Sequence, residues 1–285
     1  MANLVFTWID PELAFSPDTC DCDVQIYTLP EFVKWTTDND KLWPDFLLFN
    51  QQGNRWSQNE IIMIRPDGQG SYFERFSVTL QAPDFDFRKF PFDSQDFYIR
   101  VQSVFNEDFY FYQDLEGASQ LGEQLGEEEW HVTDFETLID TVENFGERSQ
   151  FSFHFTAQRA LTFYIIRIFI PLTLIILVAW ITFFLQNYTR RIEITVGNLL
   201  LFIAYNFTIS DSLPKLGYMT FMDVLLVSTF IISVIVVAFN VYLRRLEVNG
   251  KEELARRVDQ YTIWIYPLAY IITFGSIYWY FFLAT

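Results

Sequence analysis

The sequence predicts a membrane protein made of an immunoglobulin-like β-sandwich, residues 1–158, followed by a four-helix transmembrane bundle, residues 159–285. Two observations support this fold class. The first part holds 29 acidic and 9 basic residues and contains short alternating runs, whereas the second holds 7 and 10 and contains four long apolar segments. Because 51% of the 285 residues are hydrophobic and 19% are aromatic, intrinsic disorder is excluded.

Short runs of alternating or aromatic residues recur through the acidic part, and turns such as Pro66-Asp67-Gly68 separate them. No segment before Arg159 shows a sustained helical period. We therefore expect antiparallel strands that pack as a sandwich of two sheets. The predicted strands are Leu4–Ile9, Val24–Thr28, Glu60–Arg65, Tyr72–Leu80, Phe97–Phe105 and Phe151–Ala157.

The only two cysteines, Cys20 and Cys22, are separated by a single residue. Cysteines this close rarely bridge to each other, for geometric reasons. A metal site would need two further ligands, and no histidine is near in the sequence. We therefore expect two unpaired thiols in a loop.

An acidic stretch of low complexity precedes Trp130 and ends with Glu127, Glu128 and Glu129. Three adjacent carboxylates can bind a divalent cation. They can equally form a solvated acidic loop that binds no ion. The sequence leaves both interpretations open.

Four segments of the second part are long and apolar enough to cross a bilayer, which takes about 20 residues. They cover approximately residues 160–185, 192–212, 218–243 and 261–283. The loops 186–191 and 244–260 are rich in arginine, which predicts that both face the cytoplasm. We expect a multi-pass protein of the cell (inner) membrane, with residues 1–158 and the C-terminus extracellular or periplasmic. The first ten residues lack the features of a signal peptide, so we expect that a presequence was removed.

The second span differs from the others because polar residues interrupt it. Steps of three or four residues from its glutamate define a stripe of Glu193, Gly197, Leu200, Ala204, Phe207 and Asp211. Several copies of this helix around an axis would give a ring of carboxylates and apolar rings that can gate by dewetting. The alternative is a buried helix whose polar groups bond to the other three spans. Periodicity alone does not decide between them.

Several motifs match one family in the order in which that family carries them. Residues 8–15, which read WIDPELAF, resemble a W-x-D-x-x-L-x-W motif, and Trp43-Pro44-Asp45 resembles a W-x-P-D segment that has one more residue. The sequence Phe90-Pro91-Phe92-Asp93 matches the F-P-F-D core of a signature loop. Arg159 and the stretch Leu213-Pro214-Lys215 match positions that flank the first and second spans. On these motifs, the chain resembles the prokaryotic branch of the pentameric ligand-gated ion channels, the Cys-loop receptor superfamily.

The branch is indicated by two substitutions. Pro83 and Phe97 stand where the animal receptors carry the two cysteines of the signature loop. The absence of both cysteines is typical of the bacterial members. One departure is that the family has a strand and a coupling loop ahead of the W-x-D strand, whereas only seven residues precede Trp8 here.

The resemblance implies a homopentamer in the lipid bilayer, with a central pore lined by the second span. It implies that Glu193 and Gly197 line the selectivity region and that Leu200, Ala204 and Phe207 form a hydrophobic gate. Five glutamates close together favour monovalent cations over anions. Because Arg190 and Arg191 precede the glutamate, cation selectivity requires both to turn toward the cytoplasm or toward lipid phosphate, and this is what we expect.

The resemblance also implies two further sites. The agonist, a small molecule or protons, binds between adjacent outer domains and shifts the population of open channels. The residues implied for agonist binding are Phe49, Gln102, Phe105, Phe145 and Arg148. The residues implied for coupling the outer domain to the pore are Phe90, Pro91, Phe92, Asp93, Arg159, Pro214 and Lys215.

Other functional classes find little support in the sequence. It contains no nucleophile elbow, HExxH, P-loop or glycine-rich dinucleotide motif, so we predict neither an enzyme nor a bound cofactor. The acidic outer domain would repel phosphates, which disfavours nucleic acid as a partner. The competing hypothesis is a four-span membrane sensor or adhesion protein without a pore.

Overall fold

The computed structural model describes residues 1–115, 117–122, 129–143 and 146–284. Within them the chain forms two compact units. The first contains most of the residues up to Thr156. The second contains the loop Asp86–Gln95, residues 129–131 and the chain from Ala157 onward. The signature loop predicted to couple the two parts therefore belongs to the same unit as the apolar helices.

Among the described residues, eight strands form two four-stranded sheets, as the sequence predicts for a β-sandwich. One sheet has the order β1-β5-β4-β2 and the other β3-β6-β8-β7. The pairs β1–β5, β2–β4, β4–β5 and β3–β6 are antiparallel. The strands are β1 (Ala2–Ile9), β2 (Gln25–Thr28), β3 (Phe46–Leu48), β4 (Gln51–Ile64), β5 (Gln69–Leu80), β6 (Ser94–Ser103), β7 (Trp130–Glu143) and β8 (Glu147–Arg159).

An aromatic core holds the sandwich together. Tyr72 and Phe76 of β5 and Phe46 of β3 belong to one buried cluster, so side chains from both sheets meet in it. Phe6 stacks on Tyr72 with ring centroids 5.0 Å apart, and Phe46 packs edge-on against Tyr72 at 5.4 Å. Aromatic pairs of this kind stabilise a core beyond the area that they bury.

The described part of the first unit contains two short α-helices, and the sequence predicted neither of them. These are α1 (Pro17–Cys20) and α2 (Leu29–Asp38). A capping box begins α2, because the Thr28 hydroxyl and backbone N–H both bond to the Glu31 carboxylate.

The expectation of unpaired thiols was wrong, since Cys20 and Cys22 form a disulfide bond. Cys20 is the last residue of α1, and Asp21 adopts a left-handed conformation with φ of 53°. This turn brings the two Cα atoms within 5.2 Å, a separation that a disulfide can span.

In the part of the chain that the structure describes, four helical segments of the second unit are long and apolar enough to cross a membrane: Thr162–Thr182, Tyr188–Ser212, Phe221–Val248 and Glu252–Leu283. The first consists of α3 (Thr162–Tyr164), a π-helical turn (Ile165–Phe169) and α4 (Ile170–Thr182). The other helices are α5 (Tyr188–Ile209), α6 (Phe221–Val248) and α7 (Glu252–Tyr278), which a second π-helical turn (Trp279–Leu283) follows. Buried residues of all four segments, including Ile168, Phe202, Met222 and Ile277, form one apolar core.

Candidate functional site

Helix α5 has two faces of opposite character. Its predicted stripe is exposed on the subunit at Glu193, Gly197, Leu200, Ala204 and Phe207. Leu200 is 61% exposed and Phe207 76% exposed, although both are large apolar side chains. A stripe of exposed apolar rungs with a carboxylate at one end requires either a partner or a water column.

The opposite face of α5 is buried and carries hydrogen bonds to neighbouring spans. Asn198 Nδ2 donates to the Ile175 carbonyl oxygen at 3.0 Å, and the Tyr205 hydroxyl donates to the Ile168 carbonyl oxygen at 2.9 Å. Phe202 fills the core at 1% exposure. Polar groups on this face thus bond within the subunit, as the hypothesis of a buried, packed helix predicts. The stripe residues, however, lie on the opposite face.

Asp93 and Arg159 meet in a buried ion pair. Arg159 donates from Nε to Asp93 Oδ1 at 3.1 Å and from Nη2 to Asp93 Oδ2 at 3.2 Å. Gln95 Nε2 donates to Asp93 Oδ2 at 2.7 Å, so the carboxylate has a third donor. Two parallel bonds from one guanidinium fix both distance and orientation.

Aromatic rings surround the Arg159 guanidinium. Its Cζ lies 4.2 Å from the Trp130 ring centroid and 4.9 Å from that of Phe90. Burial disfavours the charged form of Arg159, but the hydrogen bonds and charge of Asp93 outweigh it and raise the pKa of the guanidinium. Arg159 therefore stays charged at any physiological pH.

The Asp86–Gln95 loop also contacts the helices of its unit. The Phe92 ring lies 5.9 Å from Phe169, 5.8 Å from Phe221 and 5.9 Å from Phe282, measured between centroids. These three rings come from the first, third and fourth spans. The loop is thereby packed against three helices through one side chain.

Backbone hydrogen bonds add to this junction. The Phe87 N–H donates to the Tyr218 hydroxyl at 3.0 Å, and the Phe221 N–H donates to the Arg88 carbonyl at 2.8 Å. Of the predicted linker residues, Pro214 is half-buried and Lys215 is exposed. Tyr218 and Phe221, which are not among the residues predicted for coupling, provide these contacts with the loop.

Comparison with known proteins identifies the family. Residues 2–161, more than half of the chain, match the neurotransmitter-gated ion-channel ligand binding domain. The chain belongs to this family of ligand-gated ion channels. A relative from Gloeobacter violaceus, described as a proton-gated ion channel, is 26% identical over 277 residues, which are 95% of this chain and 74% of that protein.

The family membership confirms several predictions. The channel subunit is a prokaryotic-type member of the pentameric ligand-gated superfamily, with an outer β-sandwich followed by four membrane-spanning helices. It resides in the membrane, with the ligand-binding domain outside. Ligand-gated ion channels are not enzymes, so the prediction that this chain is not an enzyme is confirmed as well.

The residues implied for agonist binding lie in the first unit of the channel subunit, except Phe145, which lies outside the described residues. Phe49 is half exposed. The ring centroid of Phe105 lies 6.0 Å from that of Phe109 and 6.1 Å from that of Tyr110. These three neighbouring rings include two that sequence reasoning did not single out.

Two buried donors stand out among the implied agonist residues. Gln102 Nε2 and Arg148 Nε have no hydrogen-bond partner among the described residues, although Gln102 is only 2% exposed. Unsatisfied buried donors of this kind are costly unless a ligand or water meets them.

A polar cluster on the outer domain brings a histidine between two acids. His154 of β8 places Nδ1 2.9 Å from Glu136 Oε1 of β7 and Nε2 3.1 Å from Asp96 Oδ1 of β6. The imidazole stacks on Tyr98 with centroids 4.5 Å apart. Burial opposes protonation, but the hydrogen bonds to Glu136 and Asp96 outweigh it and raise the pKa of His154.

The acidic stretch that could bind a divalent cation lies largely outside the described residues. Glu127 and Glu128 lie outside the described residues, and Glu129 is exposed. In the part of the chain that the structure describes, no group of three histidine, cysteine or acidic side chains is arranged to hold a metal ion.

Proposed function

We propose that five copies of this subunit form a cation-selective channel whose pore is lined by α5. The observation that carries this proposal is the division of α5 into two faces. Its buried face makes hydrogen bonds inside the subunit, whereas Glu193, Leu200 and Phe207 are exposed on the other face. Lipid would accept the two apolar side chains but not the carboxylate, which a water-filled axis would accept.

Selectivity for monovalent cations follows from the charge of the stripe. In a homopentamer, Glu193 would supply five carboxylates at one level of the pore, with Gly197 leaving room one turn above. Such a ring attracts cations and repels anions. The apolar rungs Leu200, Ala204 and Phe207 would act further along as a gate that closes by excluding water.

Coupling would run through the Asp86–Gln95 loop. Phe90, Pro91, Phe92 and Asp93 lie on this loop, and Arg159 holds it through the buried ion pair. Pro214 and Lys215 would complete the junction after α5. An agonist that favours one arrangement of the loop would shift the population of the helices packed against it.

The agonist would be a small molecule or protons. Gln102 and Arg148 offer donors to a polar or anionic ligand, and Phe49, Phe105 and Phe145 offer aromatic surface to an organic one. The relative described as proton-gated makes protons an explicit candidate. The His154 cluster gives the outer domain a titratable imidazole whose pKa is raised by its hydrogen bonds to Glu136 and Asp96.

Recording from Glu193→Gln channels tests the pore assignment. We expect agonist-dependent current from the wild type with a reversal potential set by cations, and a shift toward anions in the variant with assembly unchanged. Glu253→Gln, which neutralises an exposed acid at the start of α7, is the matched control and should leave the reversal potential unchanged.

The competing hypothesis, a four-span sensor or adhesion protein without a pore, makes a different prediction. In that case Glu193→Gln would impair folding and leave no ionic phenotype. Assembled wild-type pentamers that pass no current during pH steps and applications of amines and carboxylates would favour it.

A further inference from the structure

A second arginine–carboxylate pair lies at the end of α5 that carries Glu193. Arg191 donates from Nη1 to both carboxylate oxygens of Asp259 on α7, at 2.8 and 2.9 Å. The Arg191 side chain is fully buried, and that of Asp259 is 15% exposed. The pair therefore joins the second span to the fourth.

The surroundings of Arg191 make Asp259 its essential partner. The guanidinium Cζ lies 4.7 Å from the Phe183 ring centroid and 5.5 Å from that of Tyr188. Arg191 Nε and Nη2 have no hydrogen-bond partner among the described residues. Two aromatic faces and one carboxylate thus compensate a charge that is otherwise removed from water.

Arg191 and Glu193 point to different sides of α5. Two residues along an α-helix correspond to a rotation of about 200° around its axis. Glu193 is accordingly exposed on the stripe while Arg191 is buried among the spans. The expectation that Arg191 turns toward the cytoplasm or lipid phosphate was wrong, because its charge lies inside the subunit. Arg190, three residues before Glu193, is exposed.

We propose that Asp259 is a positioning residue for ion selectivity, which holds Arg191 in a neutral pair on the face of α5 away from Glu193. This inference rests on the proposed function, since it presumes that α5 lines a cation pore. Asp259 itself lies on a different helix from the stripe and has no place in the pore wall.

The physical reason is the charge balance at the mouth of the pore. While the pair is intact, its two opposite charges cancel over a distance of one hydrogen bond, so Arg191 adds no net charge to the potential set by the exposed Glu193 and Arg190. Without Asp259, each subunit adds one uncompensated positive charge close to that ring. An arginine without a buried partner also gains by moving its long side chain toward water, and the pore mouth is one aqueous region within reach.

The test compares reversal potentials under a salt gradient for wild-type, Asp259→Asn and Arg191→Gln/Asp259→Asn channels. We expect the cation-to-anion permeability ratio of Asp259→Asn to fall at least about threefold, since five unscreened charges act on one site. The double variant should regain the wild-type ratio, because the positive charge is then absent. The reversal potential does not depend on the number of channels, so reduced expression alone cannot move it.

Glu252→Gln is the matched control. It removes one acid from the first turn of the same helix, but Glu252 is exposed and its contact with Arg256 is a long 3.9 Å. Solvent screens such a surface charge, so this variant should keep the wild-type ratio.

An unchanged ratio in Asp259→Asn, or a shift that persists in the double variant, would overturn the inference. If Asp259→Asn alone yields no channels, tagged variant subunits are co-expressed with wild type, and mixed pentamers are isolated by the tag. An intermediate permeability ratio then supports the proposal, and a wild-type ratio rejects it. A wild-type channel that selects anions or passes no current would instead defeat the proposed function itself.

Discussion

Arg159 and Asp93, 66 residues apart in the sequence, are joined by two parallel hydrogen bonds of 3.1 and 3.2 Å. Their side chains are 9% and 1% exposed. The pair fixes the signature loop to the residue that closes β8 and leads into the first span. Both bonds use the forked geometry of the guanidinium as well as its charge.

Asp93→Asn should strongly reduce agonist-evoked current for each channel at the cell surface. Removing one partner of a buried ion pair costs about 3–5 kcal/mol, because the other charge is left uncompensated. Arg159→Lys should reduce the current less than Asp93→Asn does, because lysine keeps the positive charge. It should not reach the wild-type current, because lysine cannot make two parallel bonds. Current normalised to surface-labelled channels measures both effects.

Asp86→Asn is the control for this pair. Asp86 lies on the same loop, but its ion pair with the Arg88 guanidinium is 3.9 Å long and both side chains are largely exposed. The Asp86 carboxylate also accepts the Arg88 backbone N–H at 2.9 Å, a bond that the oxygen of asparagine can still accept. Exposed pairs contribute about 0–1 kcal/mol, so this variant should behave like the wild type. Equal losses in Asp86→Asn and Asp93→Asn would argue against a specific role of the buried pair.

Leu200→Ser should increase the current that flows without agonist. A hydroxyl on the exposed stripe of α5 would favour water at a level where the proposed apolar ring would exclude it. Leu201→Ser is a close control, because Leu201 is 57% exposed, close to the 61% of Leu200, but lies outside the stripe. The ratio of resting to maximal current separates the two variants, and equal increases would contradict a gate at Leu200.

The His154 cluster should make stability depend on pH. The folded-state pKa of His154 is raised above its ordinary value of 6.5, so the protonated imidazole stabilises the fold. This contribution is fully present below about pH 6.5 and is lost as the pH rises through the folded-state pKa. The apparent Tm of the wild type should therefore exceed that of His154→Gln by an amount that shrinks on going to alkaline pH.

The acids around His154 provide the control. Asp96, Glu136 and the Tyr98 ring face the imidazole from the neighbouring strands, and Arg100 lies over Tyr98 at 4.6 Å. Asp96→Asn removes one of the two carboxylates that raise the pKa of His154. The stabilisation that the protonated imidazole gives should therefore be lost at a lower pH in this variant than in the wild type. A Tm difference that is constant with pH would show that His154 acts by packing alone.

Reduction of the Cys20–Cys22 disulfide should change stability little. The bridge closes a loop of minimal length, so it removes little entropy from the unfolded chain and its loss should cost less than about 2 kcal/mol. Intact-mass measurement before and after a reductant reports the bond, and the Tm of Cys20→Ser/Cys22→Ser reports its contribution. A large fall in Tm would mean that the bridge shapes the region between α1 and β2.

The sequence alone predicts the features that depend on composition and on the spacing of apolar residues along a helix. The apolar length of the four spans and the stripe through Glu193 and Phe207 are local properties, so they can be read without the fold. Helix α2 was missed because it is short, although the Thr28–Glu31 capping box was a usable local signal. The disulfide was missed because it depends on the left-handed turn at Asp21, which the sequence does not reveal.

The partners of charged groups were harder to predict. Asp93 and Arg159 could be paired only through the resemblance to a family. Arg191 and Asp259 are 68 residues apart and on different spans, and no sequence motif marks that contact. Hydropathy shows that an arginine near a membrane helix needs compensation, but only the packing of α5 against α7 shows which acid provides it.

Phe92 has a consequence for the design of variants with altered gating. Its ring contacts aromatic residues of the first, third and fourth spans, so one side chain of the loop packs against all three helices. A substitution at this position cannot be assigned to one helix, since it alters three contacts together. Substitutions of Phe169, Phe221 and Phe282, one at a time, would show how much each of the three contacts contributes to gating.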